Sequence, residues 1–184
     1  MRHLPNLICL LRILLVWPII AAMQRGDARL AVILFAVAAI SDGLDGFLAK
    51  RFHWTSQLGK FLDPLADKVL LIAAFVTAAW IGLVPVWLAA AAIARDVMIG
   101  FGAVIYRLWF GPLHGRPTVV SKINTLLQLS TLLGSLLAQA INWPPPELIK
   151  ALAVLTLLAT LASGADYLLR FMKRGWSPPP SPAR

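Results

Sequence analysis

Asp42, Asp45, Asp63 and Asp67 stand in "SDGLDGFLAKRFHWTSQLGKFLDPLADKVL", residues 41–70, within stretches that otherwise read as membrane-spanning. A carboxylate at the centre of a span costs about 3 kcal/mol on the insertion scale, and less near the interface. Four of them repel one another unless something positive compensates. Lys68 is one candidate, but a single cation cannot neutralise four carboxylates. Oxygen-only ligands suit a hard divalent cation such as Mg²⁺, Mn²⁺ or Ca²⁺, and no Cys/His cluster offers zinc a site. Such cations commonly bridge carboxylates to phosphates. Gly43, Gly46, Ala49 and Gly59 lie in the same stretch, where small residues let a bulky ligand approach the backbone.

These aspartates need helices to position them. The chain has 184 residues, 59% of them hydrophobic, and a mean hydropathy of +0.78. That composition argues for a membrane protein, and the length for one compact domain. Six apolar stretches approach the roughly 20 residues that cross a bilayer: Leu7 to Met23, Leu30 to Lys50, Gly59 to Ile81, Val84 to Leu108, Ser121 to Ile141, and Leu148 to Arg170. The reading is therefore an all-α membrane protein of six transmembrane helices. Residues 1–172 form the six-helix domain, and 173–184 a disordered basic, proline-rich tail. Pro144 to Pro146 break the chain before the sixth span. No cleavable signal peptide is evident, and the single Cys9 excludes an intrachain disulfide.

Lys and Arg set the orientation. With the N-terminus inside, twelve basic residues fall on cytoplasmic segments, and only Arg25, Arg29 and Lys150 fall outside. Both termini are then cytoplasmic. The same asymmetry explains the net charge of +9 without nucleic acid. By helix rise, Asp42 and Asp45 lie roughly 13 and 9 Å below Arg51, and Asp63 and Asp67 roughly 6 and 12 Å below Gly59. Each pair occupies one helix face, so all four can converge on a pocket near the cytoplasmic surface. A single intramembrane aspartate is often only a structural hydrogen-bond partner. Four at matching depth point to function. A cation-coupled transporter is an alternative of another class, because intramembrane charges also mark ion pathways. Confinement of the aspartates to one side, without an inverted repeat, argues against it.

The spacing Asp-x2-Asp-Gly-x2-Ala-Lys-x8-Gly-x3-Asp-x3-Asp, carried by Asp42, Asp45, Gly46, Ala49, Lys50, Gly59, Asp63 and Asp67, resembles the signature of the CDP-alcohol phosphatidyltransferases. Arg usually stands where Lys50 is. "LPNLICLLR" at the start is similar to the family's Pro-Asn-x-Leu-Thr-x-x-Arg, with Ile8 and Cys9 departing from it. The resemblance implies a membrane enzyme, usually a homodimer, that displaces CMP from a CDP-linked lipid with an alcohol. It implies Asp42, Asp45, Asp63 and Asp67 at a Mg²⁺ or Mn²⁺ site, with Asp67 also the general base. Gly46, Ala49 and Gly59 would border the CDP moiety, and Lys50 its phosphates. The expected location is a bacterial inner membrane, with the active site facing the cytoplasm.

The acceptor is read from later segments. "ARDVMIGFGAVIYR" and "RPTVVSKINTLLQL" resemble the CDP-using cardiolipin synthases. Phosphatidylglycerophosphate synthases often carry Gly-Lys-x-Lys-Thr where Ser121-Lys122-Ile123-Asn124-Thr125 stands. Asn124 in place of a lysine favours phosphatidylglycerol, giving cardiolipin, over glycerol-3-phosphate, giving phosphatidylglycerophosphate. Arg116, Lys122, Asn124 and Arg95 are the candidate acceptor or phosphate residues. Arg116 and Lys122 also fit as ordinary positive-inside residues. Arg95 is expected to pair with a buried carboxylate or line the acceptor pocket, but not to face its neighbour Asp96. His53 and His114 read as loop residues, and Trp87, Trp109 and Trp143 as interfacial aromatics.

Overall fold

The structure is a computed structural model. It describes the backbone of residues 4–52, 59–110 and 118–175. Side chains are described over the same residues except 4–10, 12, 42–52, 59–67, 103, 106–110 and 170–175. Six helices follow one another: α1 (Leu4–Gln24), α2 (Ala28–Phe52), α3 (Gly59–Trp80), α4 (Val86–Phe110), α5 (Val119–Ile141) and α6 (Pro146–Gly175). No strand occurs among the described residues. Each apolar stretch of the sequence became one helix.

The turns follow from local chemistry. Gly26 adopts φ 74° and so permits the tight link from α1 to α2. Asp27 Oδ1 then accepts from the Leu30 amide at 3.1 Å and caps α2. Thr118 caps α5 by accepting from the Ser121 amide at 3.2 Å, and Asn142 closes that helix at φ 56°. Pro146 does not lie outside the sixth helix, as its breaker role suggested. It opens α6, where a missing N–H and a preset φ suit the first position. The helix continues through Gly175, so residues 173–175, read as the start of a tail, are helical. Residues 176–184 lie outside the described set, as do His53, His114 and Arg116.

Large apolar side chains cover the outside of the bundle as well as filling its core. Leu14, Trp17, Ile33, Trp80, Phe101, Leu126 and Leu161 are exposed. The interior holds small residues such as Ala31, Ala38, Ala74, Ala78 and Ala89, together with Thr131, Ser135, Thr156 and Thr160. Small and hydroxyl residues at helix contacts are what lipid-immersed helices use to approach closely. At Gly134, an added Cβ would meet Ile149 Cδ1 at 3.2 Å, so glycine permits the close contact of α5 and α6. The Thr131–Thr156 hydroxyl pair at 2.7 Å joins the same two helices. Trp87 and Trp143 are exposed near helix ends, as interfacial aromatics should be.

The segment Pro146–Leu169 of α6 is long and apolar enough by itself to cross a membrane. Shorter apolar segments are Ile13–Gln24, Ala28–Ser41 and Lys68–Trp80. These limits hold for the described residues; in the sequence, the aspartates follow Ser41 in α2 and precede Lys68 in α3. The polar end of α2 is its C-terminus and that of α3 its N-terminus. Only the link 53–58 separates them, a reach of at most about 23 Å. Both polar ends therefore sit at the same end of the bundle.

Convergence of the four aspartates on one pocket would suit direct packing of α2 on α3. Among the described residues they do not pack extensively on each other. Each packs on α1 and on α5 instead, and α4 joins α3 and α6. Between the described parts of α2, α3, α4 and α5 lies open space.

Candidate active site

That room is a cavity of about 390 Å³, within the size range of small-molecule sites. Four helices line it. Phe35, Ala38 and Ala39 come from α2, and Lys68, Leu70 and Leu71 from α3. Arg95, Asp96 and Ile99 come from α4, and Ser121, Thr125 and Leu129 from α5. The wall is thus mostly apolar, with one cluster of polar groups.

The cluster is built around a buried arginine. Arg95 is 7% exposed and Asp96 8%. The Arg95 guanidinium donates from Nε to Ser163 Oγ at 3.2 Å and from Nη2 to the same oxygen at 2.5 Å. Nη2 also donates to Ser121 Oγ at 2.6 Å, and Nη1 to Asp96 Oδ1 at 2.5 Å. Four N–H groups are used, joining α4 to the first turn of α5 and to α6. One Nη1 proton has no partner among the described residues. Contrary to expectation, Arg95 does pair with its sequence neighbour. Its long side chain folds back along the helix and meets the carboxylate, which the angular separation of adjacent positions alone would not allow. Lys68 Nζ lies 3.7 Å from the same Asp96 oxygen, with a side chain 43% exposed. It is the more exposed of the two described cations on this wall.

The other predicted residues distribute as follows. Asp42, Asp45, Gly46, Ala49 and Lys50 lie on α2, and Gly59, Asp63 and Asp67 on α3, all toward the polar end. Their side chains are outside the described set. The described residues contain no group of three metal-ligating side chains. Lys122 is exposed on the first turn of α5. Asn124 is wholly buried and does not line the cavity. Its Oδ1 accepts from Thr160 Oγ1 at 2.7 Å, across the α5–α6 contact. Lys68, Asp96 and Ser121 were missed as site residues. The available signal was a lysine and an aspartate inside two apolar helices, which calls for a partner or a ligand.

A bundle of long helices with an apolar exterior, enclosing a mostly apolar cavity with one buried polar cluster, has the character of a membrane-associated protein. The family is given by comparison with known proteins. The CDP-alcohol phosphatidyltransferase family model matches residues 2–163, and the chain belongs to that family. Its members are membrane-associated and generally depend on a divalent metal. The chain is 34% identical over 183 residues to the cardiolipin synthase (CMP-forming) of Rattus norvegicus, covering 89% of this chain and 60% of the rat protein. It is 35% identical to the probable cardiolipin synthase (CMP-forming) of Drosophila melanogaster, covering 90% of this chain and 56% of the fly protein. The chain thus spans about 60% of the length of these cardiolipin synthases. The CDP-diacylglycerol–glycerol-3-phosphate 3-phosphatidyltransferase of Pectobacterium atrosepticum is 31% identical over 168 residues, with 84% of this chain and 85% of that protein covered.

Proposed function

We propose that this chain is a six-span membrane enzyme that transfers a phosphatidyl group from CDP-diacylglycerol to an alcohol and releases CMP. The favoured acceptor is phosphatidylglycerol, giving cardiolipin. The observation that carries the reading is the register of the cavity walls. On α2, Asp42 follows Phe35 by seven residues and Ala38 by four, and Asp45 follows Ala38 by seven. On α3, Asp67 precedes Leu71 by four residues and Asp63 precedes Leu70 by seven. Residues four and seven apart share a helix face. The two faces that line the cavity therefore run, along continuous helices, into the four aspartates.

A donor set of carboxylates on two facing helices fits Mg²⁺ or Mn²⁺. Asp42, Asp45 and Asp63 would hold the metal, with Asp67 beside it. When bound, it supplies positive charge against the phosphates of the CDP group. Gly46, Ala49 and Gly59, lacking bulk, would admit the nucleotide close to the backbone, and Lys50 would meet its phosphates. Asp67 would take the proton from the acceptor hydroxyl, a poor nucleophile until a base is placed against it. The oxygen then bonds to the phosphorus of the lipid phosphate, and the bond to CMP breaks. The apolar cavity wall would exclude water, which would otherwise compete with the acceptor.

The Pectobacterium relative, matched over most of its own length, favours glycerol-3-phosphate as a second acceptor reading. The test is to supply the purified protein with CDP-diacylglycerol and each acceptor in parallel and to identify the products by mass. Cardiolipin from phosphatidylglycerol is expected. Phosphatidylglycerophosphate alone, with phosphatidylglycerol inert, would replace the first acceptor by the second. We also propose that both termini and the polar end of the bundle face the cytoplasm of a bacterial inner membrane, and that the enzyme works as a homodimer. The basic asymmetry supports the orientation, and the family supports the homodimer.

A further inference from the structure

We propose that a single ordered water molecule is a built part of the wall between α3, α4 and α5, bridging the Gln128 amide to the Asp96 carboxylate. Gln128 stands on α5 and is 1% exposed. Its Nε2 has no hydrogen-bond partner among the described residues. A buried amide in that state has given up its bonds to solvent with nothing in return, which costs free energy. The side chain does have a place to bond. It lines a second, very small cavity of about 10 Å³, which Asp96 also lines. Leu71 and Phe75 of α3 and Ala92 of α4 help to close it. Apolar groups alone would leave such a space dry. An amide and a carboxylate on one small cavity make it polar.

Size and chemistry select water. About 10–15 Å³ of such space is the least that holds one water, and a buried water needs about two to four polar partners. The cavity meets that lower limit and admits nothing larger. Water both accepts and donates. It accepts from Gln128 Nε2 and donates to the carboxylate, a charge-assisted bond. Asp96 has an oxygen for it: the contacts to Arg95 and Lys68 are both made through Oδ1, and Oδ2 takes the water's proton. The bridge has a task in the fold. Among the described residues α4 and α5 do not pack extensively on each other. Arg95 ties them at Ser121, and Gln128 stands seven residues, about two turns, further along α5. The water adds a second tie there and gives Asp96 a partner on α5.

The test is a high-resolution crystal structure of the unaltered protein, together with thermal melting of Gln128→Met, which keeps the length of the side chain and removes the amide. Density for one water at hydrogen-bond distance, about 2.7–3.2 Å, from both Gln128 and Asp96 is expected. Replacing an unpartnered buried amide by an apolar group of its shape would raise Tm or leave it unchanged. Removing one end of a water bridge should instead lower it, by about 2–4 °C for a chain of this size. A double variant with Asp96→Asn separates the bridge from lost packing. Its loss should be clearly smaller than the two single losses combined, because both act on one water. Where Asp96→Asn fails to fold because Arg95 loses its partner, the density and the single variant decide. A dry cavity, a Gln128 amide turned onto a protein acceptor, losses that simply add, or Gln128→Met melting at or above the unaltered protein overturns the proposal.

Discussion

Arg95 offers the sharpest test of how the bundle is held together. Its guanidinium makes two bonds to Ser163, one to Ser121 and one to Asp96. Arg95→Lys keeps the charge but loses the planar fork. An ammonium on a shorter reach can retain Asp96 and one bond to one serine, but not all three helices. Hydrogen bonds to charged groups contribute about 1.5–3 kcal/mol each. Losing two and recovering part of one gives a destabilisation of about 2–4 kcal/mol. Ser163→Ala leaves two buried N–H groups without an acceptor, at about 1–3 kcal/mol. For a chain of this size, each kcal/mol lowers Tm by about 2–4 °C. Thermal melting of detergent-purified protein should therefore fall by about 4–16 °C for Arg95→Lys and about 2–12 °C for Ser163→Ala. The double variant should lose clearly less than the two single losses combined, because both act on one contact. Single variants melting within about 1 °C of the unaltered protein, or losses that simply add, would refute the clamp.

Other expectations follow from the same architecture. Asp42→Asn, Asp45→Asn and Asp63→Asn should each remove most activity while the helical content stays unchanged; near-normal turnover in all three at saturating Mg²⁺ would refute the metal role. Asn124→Lys should lower stability by several kcal/mol, since it puts a cation at a fully buried position facing Thr160; a stable variant with only its acceptor preference changed would contradict that placement. With Cys9 replaced, a cysteine at Trp54 or His114 should react from the cytoplasmic side, and one at Arg25 or Trp143 from the opposite side. Reversed labelling would overturn the orientation.

The helices were legible because each needs a long apolar run, and glycines, prolines and charges punctuate those runs at 24–30, 51–58, 82–85, 111–118 and 142–147. That each aspartate pair lies on one helix was legible from its three- or four-residue spacing within an apolar stretch. Which helices touch was not. Spacing within one helix says nothing about what stands between two, so the placement of α1 and α5 against both α2 and α3 came only with the fold. The Arg95–Asp96 pair was missed for a related reason. The angular separation of adjacent positions ignores the length of an arginine side chain and the hydroxyls that steer it. Asn124 illustrates the limit of reading by substitution. Its place at the second lysine of Gly-Lys-x-Lys-Thr suggested an acceptor contact, but the side chain is wholly buried and meets Thr160 of α6. Lys68 was noticed as a countercharge for the aspartates; its contact with Asp96 required the approach of α3 to α4.

The most direct measurement is CMP release from labelled CDP-diacylglycerol by the purified protein, with and without acceptor and with and without a divalent metal. The expected result is release that requires Mg²⁺ or Mn²⁺ and rises with phosphatidylglycerol, with cardiolipin as the lipid product. Absence of acceptor-dependent CMP release with both phosphatidylglycerol and glycerol-3-phosphate, in protein that retains its helical content and its metal, would contradict it.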